Sequence, residues 1–468
     1  MRHRASRCRD RSNNSPASRV FRRVTKRRRL FETLESRRLL SADSGSLTPP
    51  LLIGEDSFAD DSILVRYHSG MPASVLNDFG ADRVFDSVPG LLQLPTPTGL
   101  DALESVAFYA NHPGVIYAEP NYSVSLMQTP NDADYADLWG MNNSGQTGGT
   151  ADADIDAEEA WEVTTGSRDT IVAVVDTGVD YLHPDLAANM WVNPGEIAGD
   201  GIDNDGNGFV DDVHGYNFVS RNGNPMDDHD HGTHVAGTIG AVANNGIGVA
   251  GVSWDVQIMA VKFLDARGGG STANAVAAIE YAVDNGAVLS NHSWGFNGGY
   301  SQALADAIEY ARLADHLVVA AAGNGGGDRI GDDNDSVPFY PGNFPHENLI
   351  SIAATDHNDD LATFSNYGRT QVDLGAPGVA ILSTTRGGTY ETFSGTSMAT
   401  PHAAGVAALL RSEYPDWTFD KVRDRLFDTV DPLASLDSIT TTGGRLNAAR
   451  AVEVDLVGPV IANHSPIG

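Results

Sequence analysis

Apolar residues fall into two kinds of run along this chain, and the change from one kind to the other divides it. From residue 63 the runs are short. Ile63-Leu64-Val65-Arg66-Tyr67 reads as a strand, Ala73 to Phe79 as a helix and Arg83 to Phe85 as a short strand. Leu91-Leu92-Gln93-Leu94 then reads as a strand, Leu100 to Asn111 as a helix and Val115-Ile116-Tyr117 as a strand, giving the order βαββαβ. From residue 170 the strands become continuously apolar. Thr170-Ile171-Val172-Ala173-Val174-Val175 has no polar alternation, as expected of a parallel strand buried on both faces. Strand candidates recur at Ile258 to Leu264, Ala287 to Asn291, Leu317 to Ala322, Ile350 to Ala354 and Val372 to Leu374, separated by Ala-rich helical stretches. Such alternation predicts an α/β domain: a doubly wound, mostly parallel sheet with helices on both faces. In such sheets, binding sites gather at the carboxyl ends of the strands.

The pattern also predicts a domain order. Residues 1–43 form a basic leader, 44–60 a polar linker, 61–125 a small ferredoxin-like α+β module, 126–455 the α/β domain and 456–468 a tail. Charge sharpens the first boundary. Residues 1–40 hold 14 of the 30 Lys+Arg and only 3 of the 62 Asp+Glu, which leaves the remainder with a formal charge of −43. A body this acidic repels nucleic acid and anionic lipid, and it suits bound cations. The one cysteine, Cys8, lies in the leader, so no intrachain disulfide forms and stability rests on packing or metal ions. No run approaches the roughly 18 apolar residues of a membrane span. The leader lacks the apolar core of an ordinary secretory signal. Leu34-Glu35-Ser36-Arg37-Arg38-Leu39-Leu40-Ser41-Ala42-Asp43 nevertheless resembles an element at the N-termini of exported bacterial proteins, and implies a secreted protein.

Three short motifs carry candidate chemistry. Asp176-Thr177-Gly178 ends the first apolar strand, His231-Gly232-Thr233-His234-Val235-Ala236-Gly237-Thr238 opens a helix, and Gly395-Thr396-Ser397-Met398-Ala399-Thr400-Pro401-His402 opens another. Alone, the last is an ordinary helix cap. A serine hydroxyl becomes a nucleophile near neutral pH only when an imidazole takes its proton and a carboxylate orients that imidazole. In the order Asp, His, Ser, these motifs together resemble the subtilisin-like serine proteases. The resemblance implies Asp176, His231 and Ser397 as the catalytic triad and leaves His234 inside its helix. Asn324 of Ala321-Ala322-Gly323-Asn324 becomes the side-chain donor to the oxyanion, and Ser293-Trp294-Gly295 the segment whose backbone pairs with an extended peptide. Ala118-Glu119-Pro120-Asn121-Tyr122 resembles the end of the family's inhibitory propeptides. Residues 61–125 are then an intramolecular inhibitor and folding aid, removed by self-cleavage between about Ser123 and Tyr135, with Leu126 and Met127 candidate residues before the cut. Two other readings use the same residues: a non-catalytic extracellular scaffold, and a ligase that passes the acyl group to an amine.

Two calcium sites are expected. Asp203, Asp205, Asn207, Phe209 (through its carbonyl) and Asp211 follow the first nine positions of an EF-hand-type loop. His214 stands where such a loop has its bidentate Glu, with Asp212 as a substitute. The second set rests on the family resemblance: Asp185 and Asn245, completed by the carbonyls of Ala243, Ile247 and Val249. Asp332, Asp333 and Asp335 are read as a preference for a basic residue beside the scissile bond, as a solvated acidic loop or as another ion site, and specificity is left open.

Overall fold

The computed structural model describes residues 58–68, 80–85, 87–112, 114–122, 129–453 and 460–461. The leader, most of the linker, the expected helix from Ala73 to Phe79, Leu126 and Met127, and most of the tail lie outside the described residues.

The N-terminal module contains β1 (Phe58–Tyr67), β2 (Arg83–Val84), β3 (Leu91–Pro95), α1 (Ala102–Ala110) and β4 (Val115–Tyr122). Its strands pair antiparallel in the order β4-β1-β3-β2, and Val460–Ile461 pairs along the outer edge of β4. Helix α1 begins at a capping box in which Asp101 accepts from the Glu104 amide and Glu104 accepts from the Asp101 amide. Its buried face joins Ile63, Val65, Leu92, Leu94 and Val115 in a separate small core.

The larger sheet contains β5 (Gly166–Asp176), β6 (Gly215–Asn217), β7 (Asp255–Lys262), β8 (Leu289–His292), β9 (Leu317–Ala321), β10 (Leu349–Thr355) and β11 (Leu374–Pro377). These seven are parallel in the order β6-β7-β5-β8-β9-β10-β11, and a short antiparallel pair, Asp431–Pro432 with Gly444–Arg445, extends the sheet beyond β11. From β5 the chain crosses to the edge strand β6, returns through β7 beside β5, and then begins the other side with β8. The carboxyl end of β5 therefore lies at the switch point, where a crevice opens.

Side-chain alternation along β5 shows why its apolar run has no polar gaps. Val172 and Val174 join the core beneath α2 (His231–Gly240) and α5 (Thr396–Glu413), whereas Ala173 and Val175 join the core beneath α3 (Thr272–Asp284) and α4 (Gln302–Leu313). All four are fully buried.

Two regions differ from the expected pattern. The strand expected at Val372 to Leu374 runs instead from Leu374 to Pro377, because Gly375 and Ala376 pair with β10 although they extend no apolar run. A hairpin, β12 (Ile381–Thr385) with β13 (Thr389–Phe393), lies in a stretch where no element is expected. On β12 two hydroxyls face α2 and not water: Thr384 Oγ1 donates to Thr233 O at 2.8 Å and Ser383 Oγ to His234 O at 2.7 Å.

Helix α5 runs through the centre of its layer and is buried almost without interruption from Thr396 to Leu410. Close approach depends on Gly405, where an added methyl would lie 2.5 Å from Val252 Cβ. Ala is the better helix former by about 1 kcal/mol, but overlap with a branched carbon held in the core costs about 1–3 kcal/mol. Gly405→Ala is therefore expected to lower the urea midpoint, and Val252→Ala added to it to restore part of the loss. A midpoint raised by Gly405→Ala would refute this packing argument.

Candidate active site

Strand β5 delivers Asp176 to the switch point with no exposure at all. Asp176 Oδ1 accepts from the Thr177 amide at 2.7 Å and contacts His231 Nδ1 at 2.8 Å. His231 is the first residue of α2, and a clasp centred on Asp227 fixes that helix end. The Asp227 carboxylate, itself buried, accepts from Thr177 Oγ1 at 2.9 Å, from the His229 amide at 2.8 Å, and from Thr233 N and Oγ1 at 3.0 and 2.7 Å. Thr177 Oγ1 in turn accepts from the Gly232 amide at 2.9 Å. The end of β5 and the start of α2 are thus tied through one carboxylate placed at a helix N-terminus, where the dipole favours it.

Lys262 closes the same corner from the adjacent strand. Its buried ammonium donates to Thr177 O, Leu264 O and Asp228 Oδ1 at 2.5, 2.8 and 2.7 Å. Arg386 holds Asp230, the residue before His231, through both carboxylate oxygens.

Ser397 is the second residue of α5. Pro401, four residues on, has no N–H to give the Ser397 carbonyl. Ser293 Oγ, immediately after β8, supplies that bond at 2.8 Å, and Ser397 Oγ donates back to Ser293 O at 3.0 Å. Asn324 follows β9. Its Oδ1 accepts from Thr396 N at 2.8 Å and from Thr396 Oγ1 at 3.1 Å, which turns the NH₂ group away from the helix. His231, Asn324 and Ser397 line one cleft of about 480 Å³, together with His229, Phe393 and Gly395.

Burial alone lowers the basicity of His231. The negative charge of Asp176, the hydrogen bond to it, and the charge of Asp227 outweigh that effect and hold the imidazole above the ordinary histidine value. His234 behaves oppositely: it is buried, its ring stacks on Phe393, Nε2 faces the carbonyls of Ile381 and Glu391, and its pKa is pushed down to about 4. His402, buried within α5, is likewise pushed down to about 4.

The substrate-lining residues expected from the sequence divide in two. Ser293 exchanges hydrogen bonds with Ser397 and Gly295 lies against Phe339, whereas the partly buried Trp294 indole packs on Phe263 and His292 against the core. Asp333 and Asp335 are occupied within their own loop, accepting from Ser336 Oγ and from the Thr370 amide and hydroxyl. Asp332 donates its amide to Asn366.

In the first cation loop, carboxylate oxygens of Asp203, Asp205 and Glu196 come within 4.8 Å of one another. Asn207 Nδ2 links Asp205 to Asp212, and Asp212 also accepts from Tyr281 OH at 2.6 Å. Phe209 anchors the loop through ring contacts with Tyr216, Phe218 and Tyr281. Asp211 stands apart, its carboxylate accepting from the Gly199 and Gly201 amides. Glu196 precedes the motif and accepts from the Asn204 and Asp211 amides, a contribution no spacing rule would find.

In the second loop, Asp185 accepts from Asn245 Nδ2 at 2.6 Å and from the Val249 amide at 3.0 Å, and Asn245 Oδ1 accepts from the Ile247 amide. Asp132, which the sequence reading passed over, accepts from the Asn244 and Asn245 amides. Ala243 lies at the start of the same turn.

A serine at a helix N-terminus, a histidine–aspartate pair and an amide donor in one cleft of a doubly wound sheet define the class of serine hydrolases. The Subtilase family model matches residues 167–451. The chain is 40% identical over 343 residues to the thermophilic serine proteinase of Bacillus sp. (strain AK1), covering 73% of this chain and 74% of that protein. It is 38% identical over 299 residues to thermitase of Thermoactinomyces vulgaris, 64% of this chain and 94% of that one. A solved protease from Pseudoalteromonas arctica superposes with a TM-score of 0.56 at 31% identity, covering 69% of this chain and 99% of that one. The chain belongs to the subtilase family and is a serine-type peptidase.

The electrostatics of His231 can be read directly by NMR titration of its ring. Asp176→Asn is expected to lower its pKa most and Asp227→Asn to lower it less, since each removes a negative charge that favours imidazolium. A midpoint unmoved by both substitutions would contradict the assignment of these charges.

Proposed function

We propose that this peptidase is a secreted endopeptidase made as a self-processing zymogen, with Ser397 as nucleophile, His231 as general base, Asp176 as its orienting carboxylate and Asn324 as oxyanion donor. The observation that carries the reading is the convergence of the Asp176–His231 pair, the N-terminus of α5 and the Asn324 amide on one cleft.

In this mechanism the Ser397 hydroxyl turns from Ser293 O towards His231 Nε2, which takes the proton from Oγ as Oγ attacks the scissile carbonyl carbon. Asp176 keeps the proton on Nδ1 and balances the imidazolium that forms. Negative charge develops on the former carbonyl oxygen, where the Asn324 NH₂ group and the Ser397 amide at the helix N-terminus donate to it. His231 then gives its proton to the leaving amine, and water attacks the acyl-enzyme by the same route. The backbone of Ser293 to Gly295 serves as a strand edge for the peptide substrate.

Secretion is supported by the export-like element at residues 34–43 and by the absence, among the described residues, of any helix long and apolar enough to cross a membrane. The module at 61–125 acts as an intramolecular inhibitor removed by the enzyme itself. Ser397→Ala is expected to leave an uncut precursor and abolish peptide hydrolysis. Asn324→Ala should lower kcat by about 10²–10³, a magnitude taken over from subtilisin, with little change in KM. N-terminal sequencing and steady-state kinetics decide both, and a Ser397→Ala protein that still processes and cleaves in pure form would overturn the reading.

The two loops are proposed to hold structural Ca²⁺. The all-oxygen donor sets of Glu196, Asp203, Asp205 and Asp212, and of Asp132, Asp185 and Asn245 with nearby backbone carbonyls, suit that hard cation. A bound ion would stabilise the folded chain by mass action. Chelation should lower the melting temperature by several degrees, restored by Ca²⁺ in excess, and Asp205→Asn should weaken that response. A melt indifferent to chelator would count against both sites.

A further inference from the structure

The Phe339 ring fills a gap between two glycine backbones, each a residue or two from a group bonded to the N-terminus of α5. Phe339 and Tyr340 pair antiparallel with Phe296 and Asn297, so Phe339 is carried back towards the segment that follows Ser293. Its backbone is fixed on both sides: Phe339 N donates to Asn343 Oδ1 and Asn343 N donates to Phe339 O, each at 3.0 Å. Asn343 Nδ2 in turn donates to Asn334 O at 2.8 Å.

The side chain lies between two glycines. A methyl added at Gly295 would come within 2.2 Å of Phe339 Cε1 and 2.6 Å of Cζ, and one added at Gly323 within 3.0 Å of Phe339 Cγ. The ring therefore spans the gap from the backbone of Gly295 to that of Gly323. Gly323 also meets Asn366 Nδ2, which would lie 2.5 Å from such a methyl, so the wall behind the ring is closed.

These two backbones flank the nucleophile. Ser293, two residues before Gly295, exchanges hydrogen bonds with Ser397, and Asn324, next to Gly323, is held by Thr396. In the catalytic reading above, a substrate side chain entering the gap between the two segments would lie beside the carbonyl attacked by Ser397 Oγ and polarised by Asn324. That space contains the Phe339 ring.

Resting on the catalytic reading above, we propose that Phe339 restricts the substrate residue that supplies the scissile carbonyl to small side chains such as Gly, Ala and Ser. A larger residue must displace an aromatic ring packed between two backbones. An occluded apolar slot discriminates by shape, commonly about 10–200-fold for a modest change in side-chain size.

The test is a series of matched peptides differing only at that residue, Ala against Leu, Phe and Tyr, with kcat/KM measured for the wild type, Phe339→Leu and Phe339→Ala. The wild type is expected to favour Ala over Phe at least tenfold. The Phe-to-Ala ratio should rise more than tenfold in Phe339→Ala, with Phe339→Leu between them. A wild type that prefers Phe or Tyr overturns the proposal whether or not the variants fold, and so does a ratio unchanged in a Phe339→Ala protein still labelled by a serine-directed phosphonate. If no peptide is cut and the wild type takes no label, it is the catalytic assignment of Ser397 that falls, a result distinct from altered selectivity in a labelled enzyme.

Discussion

A carboxylate without solvent at the end of a parallel strand is costly unless donors converge on it, and around Asp176 they converge on one oxygen, Oδ1, while Oδ2 is buried without a hydrogen-bond partner. The Thr177 amide and the His231 ring face one of its oxygens directly. Neither would be in place if β5 and α2 were free to move apart, and the Asp227 clasp and the Lys262 ammonium hold them together. The bonds from Thr177 to Asp227 and Gly232, and from Lys262 to Thr177 and Asp228, join segments distant in the chain and tie the site to the sheet that carries it. That attachment matches a mechanism in which donors must be aimed before charge develops.

The second helix meets the same sheet through a different device. Proline inside a helix normally leaves a carbonyl without its partner. In α5 the free carbonyl belongs to Ser397, and the strand-end Ser293 fills the vacancy while receiving the Ser397 hydroxyl in return. A helix defect thereby becomes a link between the nucleophile and β8. Asn324 adds the corresponding link to β9. Three neighbouring strands thus each contribute one attachment at their carboxyl ends, which is the arrangement that the doubly wound topology makes available.

The sheet and the three motifs were legible in the sequence because each is a local pattern: a continuous apolar run, or a cluster of small residues around one polar residue. Strand β11 was shifted because Gly375 and Ala376 join the sheet without extending an apolar run. The β12–β13 hairpin was missed because two hydroxyls of β12 are satisfied by α2, not by water. Asp132 and Phe339 were not found because each reaches its partners across the fold, and Glu196 because it precedes the motif whose spacing defines the loop. The aspartates before His231 show the limit most clearly. Asp227, Asp228 and Asp230 look alike in sequence, yet one is buried against Thr177 and Thr233, one meets Lys262, and one meets Arg386.

An acidic body without disulfides must also keep its own charge from opposing the fold. One route is a buried cation: Arg445, only 3% exposed, binds both Asp359 and Asp431. Another is protonation. Burial, with Asp154 and Asp431 nearby, pushes Asp156 up to about 7, and burial does the same to Glu453, so both carry less than a full charge near neutrality. The proposed calcium ions would be a third route, placed in the two loops where carboxylates gather and, among the described residues, no Lys or Arg is bound to them. On this view the formal charge of the chain overstates the repulsion that the folded state bears: a buried guanidinium and raised carboxyl pKa values each remove part of it, and the proposed calcium ions would remove more.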